Sequence, residues 1–152
     1  MGYRNSWRLR KFYYEQISAI ENLLRKYIKE PKINIDTYLK ICEQTGEEPD
    51  PNKMPVDVSE LPLEVQLAFL LMSYLSDKWD GMSGSYLGKD WSSLEYLFKL
   101  YEVENQKEVF KFMKIIEAFQ VEVSIEKAKK DRKKLEAGGN AKGKGHTYKV
   151  GG

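Results

Sequence analysis

Residues 61–101 read LPLEVQLAFLLMSYLSDKWDGMSGSYLGKDWSSLEYLFKLY, and this stretch decides the fold. Leu63, Val65, Leu67, Ala68, Phe69, Leu70, Leu71, Met72, Tyr74 and Leu75 make its first part apolar nearly all round. In a water-soluble chain that pattern predicts a helix buried on most sides. A parallel-sheet strand also reads as an apolar run, but the length and the Leu, Met and Ala content favour helix. The run falls short of the roughly 20 residues that cross a bilayer. Glu64 bounds it on one side, Asp77 and Lys78 on the other. Pro62 suits a first helical turn, where no amide donor is needed, and Gly81 suits the stop.

The next segment, residues 80–90, holds Gly81, Gly84 and Gly88. Glycines there allow backbone conformations that other residues resist, so the segment reads as a structured turn between two helices. Gly88-Lys89 does not make a phosphate loop. That motif needs four residues between its glycines and a Ser or Thr after the lysine, whereas Gly84 and Gly88 enclose three and Asp90 follows. Gly81-Met-Ser-Gly84 matches the bare G-x-x-G of the KH nucleic-acid fold, without the sheet that fold requires. Asp77, Asp80 and Asp90 have the chemistry to hold Mg²⁺, but caps and turns account for the same residues. Ser92 and Glu95 have capping-box spacing ahead of Leu94, Leu97, Phe98 and Tyr101 on one helical face. Trp79 and Trp91 flank the turn and are expected to clamp it onto the core.

Working outward, Asn5 or Ser6 is expected to cap a first helix that stops at about residue 29, ahead of Pro31. Its stripe Ile17, Ile20, Leu24, Tyr27 follows the 3-4-3 spacing of a helix that packs on another. Asp36 is expected to cap a short helix over 37–45, closed by Gly46. Residues 47–60 contain Pro49, Pro51 and Pro55 with mainly acidic neighbours, and read as a linker laid over the surface. Asn105 and Glu108 mark another helix start. Val109, Phe112, Ile116, Phe119 and Val123 then step 3-4-3-4, a packing seam. Residues 126–136 follow with six Lys or Arg, and Gly138-Gly139 is expected to end the helix. The Gly- and Lys-rich remainder would be disordered by itself.

The net charge is only +2, but it is uneven. Residues 126–152 carry nine Lys or Arg against three Asp or Glu, a balance of +6, which leaves −4 for the rest. A global field toward nucleic acid is therefore absent while a local one is present. Cys42 is the only cysteine, so no internal disulfide is possible, and it reads as a small buried apolar residue. One Cys and one His, His146, do not furnish a four-ligand zinc site. The polar, aromatic N-terminus gives no expectation of a secretory signal, and Met1 to Ser6 match the loose myristoylation pattern without further support. Gly151-Gly152 ends the chain as ubiquitin-like tails end, but no β-grasp pattern precedes it.

The fold expectation is therefore all-α. It is a compact bundle of about five helices in one domain over 1–137, with the Pro-rich linker inside it, a long basic C-terminal helix and a flexible basic tail over 138–152. Three phrases carry a resemblance: Cys-Glu-Gln-Thr-Gly-Glu-Glu-Pro-Asp-Pro at 42–51, Trp-Asp-Gly-Met-Ser-Gly-Ser-Tyr-Leu-Gly-Lys-Asp at 79–90, and the Lys/Arg-rich helix running into a Gly-rich tail. Together they resemble small helical proteins encoded by large tailed bacteriophages. The resemblance brings no catalytic motif.

It implies a non-enzymatic component of a virion or its assembly, a structural accessory or an assembly chaperone, acting in the infected bacterial cytoplasm or in the virion. Other phage structural or assembly proteins are the expected partners, and self-association is left open. No membrane, cofactor or metal is expected. The expected contact residues are Trp7, Arg8, Tyr13 and Tyr14, where aromatics alternate with bases, and Lys129, Lys130, Lys133, Lys134, Lys142, Lys144 and Tyr148. Tyr, Trp and Arg anchor protein interfaces. Aromatics among bases also suit stacking on a nucleic-acid strand, and the alternative reading is a nucleic-acid-binding accessory protein that uses residues 127–149.

Overall fold

The computed structural model describes residues 3–30 and 33–141, with side chains over 14–30 and 33–138. The described chain is mostly helical: α1 (Tyr3–Lys29), α2 (Ile35–Thr45), α3 (Leu63–Tyr74), α4 (Leu94–Leu100) and α5 (Gln106–Ala141), with a 3-10 turn at Val58–Glu60. The departure from all-α is a two-stranded antiparallel hairpin of β1 (Asp77–Trp79) and β2 (Tyr86–Lys89).

The core lies where α3, α4 and α1 meet α5. Val65, Ala68, Leu71 and Met72 of α3 are buried against Val109, Phe112, Met113, Ile116 and Phe119 of α5, with Leu97, Phe98 and Leu24 closing the sides. The 3-4-3-4 seam of α5 is thus buried from Val109 to Phe119, and Val123 is half-buried. The stripe on α1 packs as its spacing predicts, with Ile17 and Leu24 buried and Ile20 and Tyr27 partly so. Cys42 is buried as well.

α1 and α5 run parallel. Ile17 and Ile20 share a cleft with Asn105 and Phe112. Further along, the Arg25 guanidinium lies 4.5 Å from the Phe119 ring centre, and Lys29 pairs with Glu122 and Glu126. Between α2 and α3, residues 47–60 are tied down by side chains. The Lys26 ammonium donates to the carbonyls of Asn52 and Met54, and the Asp50 amide donates to the Tyr38 hydroxyl.

Several helix ends differ from expectation. α1 is already helical at Tyr3, so Asn5 and Ser6 sit inside it. Asn34, not Asp36, caps α2, its side chain accepting from the Thr37 amide; Gly46 closes that helix in the left-handed conformation. The Ser92–Glu95 capping box does not form. Asp90 takes the Ser92 amide, α4 starts two residues later, and Glu95 reaches Lys99 instead. α5 passes through Gly138 and Gly139 to Ala141, because adjacent glycines weaken a helix without forbidding it.

The largest correction concerns residues 75–90. α3 ends at Tyr74, not near Gly81, because Leu75 is extended and the chain then pairs with itself: the Asp90 amide donates to the Ser76 carbonyl. What reads as a turn between helices is a hairpin. Asp80-Gly81 with Trp and Tyr beside it is a hairpin signal.

Candidate functional site

α3 is apolar nearly all round, broken by Glu64, Gln66 and Ser73, and a domain of this size has too little interior to cover such a helix completely. Its outward face remains in solvent. Leu63 is 66% exposed, Leu70 40% and Tyr74 53%. These residues fall one and two turns apart along one stripe, with the half-buried Leu67 between them. Tyr101, just past α4, stacks on Tyr74 with ring centres 5.7 Å apart and planes 26° from parallel. Hydrogen bonding between the two phenols raises the Tyr101 hydroxyl above its ordinary value. The result is an apolar strip ending in a paired aromatic platform. The helix is buried or half-buried on most sides, as expected, and this strip is the exception. Leu67, expected in the core, sits at its edge.

The hairpin lies against α5 through one carboxylate. Glu117 Oε2 accepts from the Lys89 amide at 2.8 Å and from the Trp91 indole at 2.9 Å, and Oε1 accepts from Lys114. The Lys114 ammonium also stands 4.6 Å from the Trp91 ring centre, and Trp91 meets Phe110 edge to face. Burial pushes the Glu117 carboxyl up; Lys114, the Lys89 amide and the indole more than offset this and hold it below its ordinary value. On the hairpin itself, Asp77 receives the Lys89 ammonium at 2.7 Å and the Tyr86 hydroxyl at 3.0 Å. The Asp77 carboxyl is lowered chiefly by Lys89, while burial and Asp77 raise the Tyr86 phenol. Trp91 therefore clamps the hairpin as expected. Trp79 does not: it is 60% exposed and packs on Tyr86 with ring centres 5.0 Å apart.

Asp80 organises the loop by accepting from the amides of Met82 and Ser83 and from the Ser83 hydroxyl. Asp77, Asp80 and Asp90 are thus each engaged locally. No group of three His, Cys, Asp or Glu side chains among the described residues is placed to hold a metal ion. A cleft of about 530 Å³ beside Tyr27, Ile33 and Val56 has Asn34 and Asp57 on its wall. Both are already spent capping Thr37 and Ser59.

The third feature is the distal part of α5. Every side chain from Ile125 to Gly138 is exposed, so the helix leaves the body as an arm. At its root Glu122 accepts from Lys29 at 3.0 Å, which lowers the Glu122 carboxyl and raises the Lys29 ammonium. A cleft of about 310 Å³ opens between Lys29 and the arm residues Glu126, Lys127, Lys130, Asp131 and Lys134.

Of the expected contact residues, Lys129, Lys130, Lys133 and Lys134 come together on this arm, and Tyr14 is exposed on α1. Trp7, Arg8 and Tyr13 lie on α1 with side chains outside the described residues. Lys142, Lys144 and Tyr148 lie outside the described residues altogether. Sequence reasoning missed Leu63, Leu70, Tyr74 and Tyr101 as a surface. The signal was the scarcity of polar residues on α3, which holds only Glu64, Gln66 and Ser73. No described helix is long and apolar enough to cross a membrane. No family model, curated protein or solved structure matches the chain.

Proposed function

We propose that the protein is a non-enzymatic interaction module that docks a partner protein on the outer strip of α3. The observation that supports this reading is the exposure of Leu63, Leu70 and Tyr74 on one face of a helix whose other face is core. Apolar residues scattered singly on a surface need no explanation, whereas a continuous apolar stripe marks a contact. Tyr74 stacked on Tyr101 supplies the rigid aromatic pair that interfaces favour. The fitting occupant is an amphipathic helix laid along the strip with apolar residues one and two turns apart. The setting, a tailed-phage virion or its assembly, rests on the resemblance of the three sequence phrases.

Photo-crosslinking tests the reading. A photoreactive residue at position 70 or 74 should give one recurrent adduct in lysate of the natural host, and the same group at Lys53 should not. The captured partner, purified, should bind the wild-type chain and lose at least tenfold in affinity to a Leu70→Glu, Tyr74→Ser variant that melts normally. Undiminished binding to that variant rules out the α3 strip.

A further inference from the structure

The packing seam of α5 changes chemistry where α1 ends. Val109, Phe112, Ile116, Phe119 and Val123 continue at the same 3-4 spacing into Glu126, Lys130 and Lys133. At about 100° per residue, Lys127, Lys129, Lys130, Lys133 and Lys134 fall within an arc of about 160° on that side of the helix. All five are exposed, and none pairs with an acidic side chain among the described residues. Lys29 takes up Glu126. Lys129 and Lys133, and likewise Lys130 and Lys134, stand four apart, where like charges repel along a helix. A polyanion relieves that repulsion.

We propose that this arm binds double-stranded nucleic acid through its phosphate backbone, independently of sequence. This goes beyond the α3 strip and uses a different face. From Lys127 to Ala141 the arm extends about 22 Å, and a helix about 10–12 Å across matches a major groove about 12 Å wide. Lysines spread over a wide arc reach phosphates on both groove walls as mobile point charges. The described arm carries no aromatic side chain for bases to stack on, which favours duplex over single strand. Lysine is depleted at protein interfaces, and the cationic arc has no large apolar anchor, which favours phosphate over an acidic protein. Lys142, Lys144 and Lys149 follow the arm in the sequence.

Fluorescence anisotropy with the full chain and two unrelated 25-base-pair duplexes tests this between about 50 and 200 mM salt. Both duplexes should bind equally, with affinity falling steeply as salt rises. Changing the five lysines to Gln should make the log–log salt slope shallower by up to about 4–5, at roughly 0.9 for each phosphate left unneutralised. Changing the same five to Arg should preserve binding, and circular dichroism should show the helix in both variants. No duplex binding at 50 mM salt overturns the proposal. So does binding unchanged in the Gln variant, a preference for single strand of the same length, or capture of poly-glutamate in place of duplex.

Discussion

A Cβ placed on Gly88 would stand 2.8 Å from Glu117 Oε2, the oxygen that already accepts from the Lys89 amide and the Trp91 indole. Gly88 also has φ +101°, in a region L side chains rarely adopt. The strand's unpaired residue is its neighbour: Lys78 pairs with Gly88 and Trp79 with Tyr86, so Leu87 bulges. A two-stranded hairpin is marginal alone, so the Glu117 junction is what fixes it to the domain.

Gly88→Ala should therefore destabilise by roughly 2–3 kcal/mol, combining backbone strain with displacement of the carboxylate. Gly84→Ala is the comparison. It has φ +65° but nothing within 4 Å, so only strain of about 1–2 kcal/mol applies. Urea denaturation of the two variants should rank them in that order.

Glu117 gives the hairpin an acid limit. Its carboxyl is held below the ordinary value of about 4.5, so the folded state binds the proton less readily than the unfolded one. The stabilisation is fully present above about pH 4.5 and is lost as pH falls through the depressed folded value. Asp77, also lowered, acts in the same direction. Trp91 fluorescence should hold steady above that pH and shift below it. Glu117→Gln should flatten the response, and Glu117→Ala should cost on the order of 2 kcal/mol by stranding two donors.

Neighbouring leucines on α3 should behave oppositely. Leu71 is fully buried, and Leu71→Asp leaves an unpaired charge in the core at about 3–5 kcal/mol, a large part of a small domain's stability. Leu70→Asp, on the outer strip, should cost less than about 1 kcal/mol. A melt left unchanged by the first variant or abolished in the second contradicts the assigned orientation of α3.

Glu102 occupies a glycine position. It has φ +47° at the end of α4, where the Val103 amide reaches back to the Phe98 carbonyl and the Glu102 amide to that of Lys99. This pair of hydrogen bonds closes a helix end that normally favours glycine. Glu102→Gly should raise stability by roughly 0.5 kcal/mol, strain relief outweighing the freedom glycine adds to the unfolded chain. Thermal unfolding checks the sign.

The helices were legible because their signals are periodic. The stripe on α1 and the seam on α5 name their own buried faces. The hairpin was hidden because its strands are three and four residues long and its partner, Glu117, lies far along the chain. The strip on α3 was hidden for another reason. A helix with so few polar residues carries little mark of which side faces out; the packing of α1, α4 and α5 decides it. Local caps misled where a stronger neighbour was present, as when Asp90 took the Ser92 amide that a capping box would have given to Glu95.

Because α5 is one unbroken helix from the core to Ala141, the arm is a lever with its pivot at Lys29 and Glu122. A pull on the arm ahead of Gly138 becomes a torque on Phe119, Ile116 and Met113. Whatever holds the arm thereby constrains the orientation of the domain and of its α3 strip.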